Sequence, residues 1–157
     1  MDFSTFYFSP GGRVSRRDYW LRMQVPAMVV GPICRIVDSQ LALHFQAGNF
    51  SLGVAATAFT VLLSWPATVV QVKRLHDTNK SGWWIVAVAT VNLAYGVTLA
   101  NLPDGSTDVR LSVLLWVGAC VDFAFFYFVG LKPGDRGPNR FGGDPIYEKA
   151  NETGLVL

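Results

Sequence analysis

The chain has 157 residues, of which 51% are hydrophobic and 15% are charged, and its formal net charge at pH 7 is +2. This length suits a single domain spanning residues 1–157, and the charged fraction lies well below the roughly 25% that is usual for a soluble domain. The composition therefore predicts a membrane protein, and the weakly basic charge argues against a nucleic-acid-binding face, which needs a basic stripe.

The first of four apolar segments, residues 19–37, is the least regular. It contains Arg22 and Arg35, which are separated by an uncharged stretch of only 12 residues, and it includes two prolines. We expect a spanning helix whose arginines reach the membrane interfaces, with a kinked or partly re-entrant segment as the alternative. Ser15, followed three residues later by Asp18, resembles a capping box at its start.

The second and third segments, residues 51–72 and 83–102, contain no charged residue. Each has about the 20 residues that cross a bilayer as a helix. Trp83 and Trp84 begin the third segment, as Trp20 begins the first, at the depth where aromatic side chains anchor a helix in the interface. We therefore interpret these three tryptophans as interfacial anchors.

Small or polar residues recur along one face of each of these two segments. Such faces predict close helix packing, and a polar wall of a solute path is the alternative. The spacing is four in the second segment and three in the third: Ala56, Thr60, Ser64 and Thr68, then Asn92, Tyr95, Thr98 and Asn101.

The fourth segment, residues 111–131, carries a single acid, Asp122, near its middle. A carboxylate at that depth costs at least about 3 kcal/mol unless something offsets its charge. A proton or cation site within the bundle is one interpretation, and a protonated or paired acid that fixes helix packing is the other. Arg35 is a candidate partner, because it is the basic residue that lies well inside another segment.

The basic residues outside the segments follow an alternating pattern. They concentrate before residue 19, in the loop 73–80 and in the tail 132–157, whereas the loop 38–50 contains no Lys or Arg. The positive-inside rule then predicts four crossings with both ends cytoplasmic. The fold class is thus an all-α membrane bundle of four transmembrane helices. Its Gly- and Pro-rich tail is predicted to be an ordered loop or a disordered end rather than a helix.

His76 and Asp77, in the loop 73–80, are the one adjacent pair with acid–base potential. No second His or Cys lies at metal-ligand spacing, and the catalytic and phosphate-binding motifs are absent from the sequence. We therefore predict no catalytic residue, no metal and no cofactor, and a structural hydrogen bond for His76, with a proton shuttle as the alternative.

Three sequence pieces, GRVSRRDYW at 12–20, KRLHDTNKSGWW at 73–84 and GPNRFGGDP at 137–145, resemble the bacterial inner-membrane family catalogued as domain of unknown function 805. The pieces occur in the family's order, the resemblance covers almost the whole chain, and the central piece is the most specific. The resemblance implies a small multi-pass protein of the bacterial inner membrane. It implies no activity, because the function of the family is not established.

Together with the predicted topology, the resemblance places all three pieces on the cytoplasmic side. We expect them to converge in one cluster in which Asp77 pairs with an arginine and the tail covers the helix ends. Such a cluster is either a scaffold or a binding site for an anionic group. Its members are Arg13, Arg16, Arg74, His76, Asp77, Asn139 and Arg140. We also expect the arginines at 13, 16 and 17 and the basic residues at 73 and 74 to face anionic lipid headgroups.

We favour a non-enzymatic membrane protein that acts through packing or partner binding, because a catalytic constellation is missing from the sequence. Its partners would be membrane lipids, including anionic headgroups, and a second copy or another membrane protein. One alternative is an oligomeric transporter or channel subunit that uses Asp122. The other is a lipid-headgroup enzyme at the cytoplasmic face, with His76 and Asp77 as acid and base.

Overall fold

The computed structural model describes residues 2–47, 50–100 and 109–152, and most of these residues are helical. The predicted segments correspond to four long helical stretches, and two shorter helices lie near the ends of the chain. In chain order the elements are α1 (Phe3–Phe8), α2 (Arg16–Tyr19), the π-helical turn π1 (Trp20–Gln24), α3 (Val25–Leu41), strands β1 (His44–Ala47) and β2 (Phe50–Gly53), α4 (Val54–Asp77), α5 (Trp84–Ala100), α6 (Val109–Phe126), the π-helical turn π2 (Tyr127–Leu131) and α7 (Pro145–Glu152).

The first long stretch is helical without interruption from Arg16 to Leu41, so a re-entrant segment does not describe it. The predicted cap is confirmed, because the backbone N–H of Asp18 donates to the Ser15 hydroxyl at 3.1 Å. Pro26 has no N–H, which frees the carbonyl of Arg22 within the π-helical turn. The hydroxyl of Tyr7 donates to that carbonyl at 2.7 Å and replaces the missing bond.

A two-stranded antiparallel hairpin follows α3, which corrects the all-α prediction and the predicted helix start at residue 51. The start of α4 is displaced to Val54 by a buried acid. The carboxylate of Asp38 accepts the backbone N–H groups of Ala55 at 2.7 Å and of Ala56 at 2.9 Å, which otherwise lack a partner in the first helical turn. Gly53 lies so close that a Cβ atom there would be 2.1 Å from Asp38 Oδ2.

The tail also differs from the prediction, because residues 145–152 form helix α7. Asp144 caps this helix by accepting the backbone N–H of Ile146 at 3.0 Å, and Pro145 takes the first helical position, where a missing N–H costs nothing. Asp144 and Pro145 thus begin a helix that was not predicted, because the tail as a whole is rich in Gly and Pro.

The long helices pack as two antiparallel pairs, α3 with α4 and α5 with α6. The pairs join where α1, α2, residues 73–77 of α4, π2 and the loop 132–144 meet, and we call this region the charged end. The buried apolar core lies there as well and comprises Phe6, Val14, Tyr19, Met23, Val70, Leu75 and Val129.

The apolar helices themselves are largely uncovered by the rest of the chain. Val54–Asp77 and Ser112–Leu131 are long and apolar enough to cross a bilayer, and Trp84–Thr98 is a shorter apolar helix. Only 11% and 17% of the most apolar stretches of the two long helices are buried. The core helix of a soluble protein would be mostly covered, so this exposure favours lipid as the surrounding medium.

Candidate functional site

The charged end is organised around the carboxylate of Asp77, the last residue of α4, which is 3% exposed. Its Oδ1 accepts from Nε of Arg13 at 3.1 Å and from Nη2 at 2.9 Å. Its Oδ2 accepts from Nη1 of Arg74, one helical turn earlier. Burial raises the pKa of Asp77 from its ordinary value, and the two guanidiniums oppose that shift. Two permanent positive charges thus share one buried carboxylate.

Arg13 also ties the C-terminal loop to the end of α4. Its Nη1 donates to the carbonyl of Gly137 at 2.6 Å, and its Nη2 donates to the carbonyl of Asp135. The backbone N–H of Asp135 donates in turn to the Asp77 carbonyl at 2.8 Å. A single side chain therefore links the N-terminal segment, helix α4 and the loop 132–144.

Three side chains complete the C-terminal end of the last long helix, whose final carbonyls have no N–H partner within the helix. Arg74 Nε donates to the carbonyl of Val129 at 2.9 Å, and its Nη2 donates to that of Lys132. Two further bonds fill the positions between them, from Trp20 Nε1 to Gly130 at 2.8 Å and from Arg16 Nη1 to Leu131 at 3.0 Å. Cations are also stabilised at this end by the helix dipole.

His76 docks the loop through its ring. The imidazole stacks on Phe141 with ring centroids 3.8 Å apart and planes 5° from parallel. Its Nδ1 lies 3.2 Å from the Gly12 carbonyl and therefore donates, because a carbonyl only accepts. Asn139 Nδ2 donates to the His76 carbonyl at 2.9 Å. Burial lowers the pKa of His76 from its ordinary value, the hydrogen bond to Gly12 opposes this shift, and the nearby Arg140 guanidinium adds to it.

The comparison with known families matches residues 7–143 to the family described as a protein of unknown function, DUF805. The chain belongs to the DUF805 family. The resemblance inferred from the three sequence pieces is thereby confirmed.

Curated relatives of this DUF805 chain come from Escherichia coli K12. The uncharacterized protein YiiR is 29% identical over 148 residues, which cover 92% of this chain and 90% of YiiR. The inner membrane protein YhaH is 26% identical and covers 87% of both chains, and the inner membrane protein YhaI is 26% identical over 90% of this chain and 89% of its own. These names support an inner-membrane location. No solved structure matches the chain.

The seven residues of the predicted cluster lie together at the charged end. Most of their hydrogen bonds are made to other residues of this end. Arg13 and Arg74 are buried, so the expectation that both face lipid headgroups is wrong. Lys73, which was expected to face headgroups too, is buried, and its Nζ donates to the carbonyls of Thr5 and, at 3.3 Å, Phe6. Arg140 is exposed, where its guanidinium lies 4.6 Å from the Phe141 ring centroid and donates to the Asn79 carbonyl at 3.2 Å.

The two intramembrane candidates, Asp122 and Arg35, are not paired with each other among the described residues. Asp122 Oδ1 accepts from Nδ2 of Asn92 on α5 at 3.0 Å, and both side chains are exposed. Arg35 instead lines an open groove with Thr57, beside the hairpin. The Arg35–Asp122 hypothesis is therefore wrong, because α3 packs on α4 whereas α6 packs on α5.

Hydroxyl groups on the small and polar face of the second segment donate within their own helix. Thr60 donates to the Ala56 carbonyl at 2.9 Å, and Thr68 donates to the Ser64 carbonyl at 2.8 Å. Asn101 lies outside the described residues. Of the predicted anchors, Trp20 is bonded as described above, and Trp83 and Trp84 are 77% and 55% exposed. Asp38 was not among the predicted site residues, although an isolated acid between two apolar segments was the available signal.

Proposed function

We propose that this DUF805 protein crosses the inner membrane four times with both ends in the cytoplasm. The exposed apolar surfaces of the long helices support the crossings, and the names of YhaH and YhaI support the inner membrane. The charged end carries the basic residues of the N-terminal segment, of residues 73–80 and of the C-terminal loop, whereas residues 38–50 contain no Lys or Arg. This asymmetry supports a cytoplasmic charged end.

Within that topology, the protein acts without catalysis, by assembling with a second copy through α5 and α6. One observation carries this proposal: the hydrogen-bonded Asn92 and Asp122 lie near the middle of their helices and on the outer surface of the chain. Acidic side chains inside a membrane nearly always face protein or water, because hydrocarbon leaves their charge and their remaining lone pairs without a partner.

The same surface allows a close approach of helices. Gly96 lies one turn after Asn92 and is exposed, and a Cβ atom on it would contact nothing within 4 Å. Glycines at a helix interface let two backbones approach and strengthen interhelical hydrogen bonds. A second copy that presents the same Asn92 and Asp122 would supply donors and acceptors for both pairs.

A catalytic role for His76 and Asp77 has less support. The Asp77 carboxylate is buried between two guanidiniums, and the His76 ring donates to a backbone carbonyl while it stacks on Phe141. A general acid or base must instead reach the proton that it transfers. These contacts favour a structural role for the pair.

The proposal is tested by counting subunits with single-molecule photobleaching of terminally labelled protein in liposomes. We expect Asp122→Leu to lower the association constant in the membrane about tenfold, as a loss of about 1.4 kcal/mol in interhelical bonding implies, and so to lower the fraction of multimers. The control is Phe123→Leu, an apolar exchange at a neighbouring side chain that is 70% exposed. Equal multimer fractions in the two variants would refute assembly through this face.

A second candidate function, a transporter or channel subunit, uses the same carboxylate. In an oligomer, Asp122 would line a shared axis and pass a proton or a cation. Proteoliposomes loaded with a pH-sensitive dye distinguish the two functions. Flux that is abolished by Asp122→Asn, in protein that still assembles, would establish transport, whereas assembly without any flux supports the non-catalytic proposal.

A further inference from the structure

An apolar groove runs between α5 and α6 and ends at the charged end. Its walls are Ala87, Val88 and Val91 of α5 and Val121, Ala124 and Phe125 of α6. Phe128 and Trp84 line it closer to the charged end, and Lys80 is the one charged residue in its lining. The groove shares no lining residue with the Asn92–Asp122 pair, so it is a separate feature of the same helix pair.

Two lysine side chains place their ammonium groups against the Phe128 ring, where the groove ends. The Nζ atom of Lys80 lies 5.1 Å from the centroid of the Phe128 ring, and the Nζ atom of Lys132 lies 5.5 Å from the same centroid. The aromatic face attracts each cation, but the two like charges repel each other. Among the described residues, neither lysine forms an ion pair with a carboxylate. An anion bound at this end of the groove would be attracted by both ammonium groups.

We infer that this groove binds one anionic phospholipid, with an acyl chain between α5 and α6 and the headgroup phosphate at the end of the groove near Lys80 and Lys132. The apolar walls match hydrocarbon, and the lysines match the charge of the headgroup at the depth where it would lie. This inference rests on the placement of the charged end at the membrane surface that is proposed above. It does not depend on assembly through Asp122.

The charge arm of the test compares lipid retention by native mass spectrometry, after the detergent-solubilised protein is mixed with equimolar phosphatidylglycerol and phosphatidylcholine. We expect the wild-type chain to retain phosphatidylglycerol preferentially, and each of Lys80→Gln and Lys132→Gln to lower that preference about fivefold, the effect of about 1 kcal/mol per lysine. The matched control is the double variant Arg136→Gln/Lys149→Gln, which removes two positive charges from the same end but away from the groove lining and the Phe128 ring. An equal loss of preference in Lys80→Gln/Lys132→Gln and in the control would overturn the inference.

A second set of variants keeps every charge and places larger side chains in the groove. Ala124→Leu and, on the facing helix, Ala87→Leu are expected to reduce the retention of both lipids severalfold, because a larger side chain occupies the space of the acyl chain. Two positions are tested in case one variant fails to fold. Lipid retention is compared only for variants whose thermal unfolding midpoint equals that of the wild-type chain. Undiminished phosphatidylglycerol retention in both variants would exclude the groove as the site.

Failure of the lipid site and failure of the proposed function would give different results. If terminal tags reported from the periplasm while the lysine variants lost the preference, the groove would remain a lipid site and the topology would be wrong. If photobleaching found multimers that depend on Asp122, while neither the lysine variants nor the alanine variants changed lipid retention, assembly would be supported and the lipid site would be excluded.

Discussion

Gly134 lies directly against the carboxylate of Asp77, and a Cβ atom at position 134 would be only 2.0 Å from Oδ2. No side chain fits at that distance, and the carboxylate cannot move away because Arg13 and Arg74 hold both of its oxygens. The contact explains why a Gly-rich loop that is far away in sequence closes over the end of α4.

A methyl group on Gly134 should therefore lift the loop 132–144 from the charged end. We expect Gly134→Ala to destabilise the detergent-solubilised protein by about 1–3 kcal/mol, as overpacking of a fixed site does. The thermal unfolding midpoint measures the effect. Gly11→Ala is the control, because the nearest side-chain atom to its Cβ would be 4.0 Å away. Equal midpoints for the two variants would show that the loop 132–144 accommodates the methyl group without loss of stability.

Removal of the charge of Asp77 should be more damaging. Asp77→Asn leaves two buried guanidiniums without a counter-charge, and breaking a buried ion pair in this way costs about 3–5 kcal/mol. Arg16→Gln is the comparison, since Arg16 is exposed and donates one hydrogen bond to Leu131. Chemical unfolding followed by circular dichroism should give a much lower free energy of unfolding for Asp77→Asn than for Arg16→Gln. The reverse order would contradict the central role of the carboxylate.

The docking of the loop should weaken in mild acid. Burial lowers the pKa of His76 in the folded protein, whereas the unfolded chain takes up a proton near pH 6.5. The stability contributed by the neutral ring is therefore complete above about pH 6.5 and is lost as the pH falls through that value toward the lowered pKa of the folded state. Cleavage by trypsin after Arg136 and Arg140 should become faster from pH 7 to pH 5.5, after correction for the activity of trypsin.

Two histidine variants isolate the source of that pH dependence. His76→Phe keeps an aromatic ring for stacking on Phe141 but cannot be protonated, so its cleavage rate should not change over this pH range. His44→Phe, in the hairpin, should retain the acceleration in acid. Acid-accelerated cleavage that persists in His76→Phe would assign the titration to another group.

The indole of Trp20 should contribute to stability through its hydrogen bond, in addition to any role as the predicted interfacial anchor. Trp20→Phe removes the donor to the Gly130 carbonyl and is expected to lower stability by about 1 kcal/mol. Trp83→Phe, at a ring that is 77% exposed, should have a smaller effect in detergent. The two thermal midpoints measure this difference, and similar values would leave Trp20 as an interfacial anchor alone.

Several features of the fold were accessible from sequence because their cause is local. The cap formed by Ser15 and Asp18 follows from a spacing of three residues. The uncharged segment 83–102 predicted helix α5, which runs from Trp84 to Ala100 in the structure. The tail helix α7 was missed although its signal, Asp144 followed by Pro145, is also local, because Gly and Pro dominate the surrounding composition.

The sequence by itself determined that this chain has apolar helices, that its charges gather between them and that it resembles DUF805. Those properties follow from residue type and short-range spacing, which a linear chain displays directly. Only the tertiary structure decided that Arg13 and Arg74 point inward to Asp77 and that Asn92, rather than Arg35, contacts Asp122. Such pairs depend on which helices pack together. A buried charge pairs with an opposite charge that is close in space, so Arg13 contacts Asp77 across 64 residues of sequence, as Arg74 does within one helical turn.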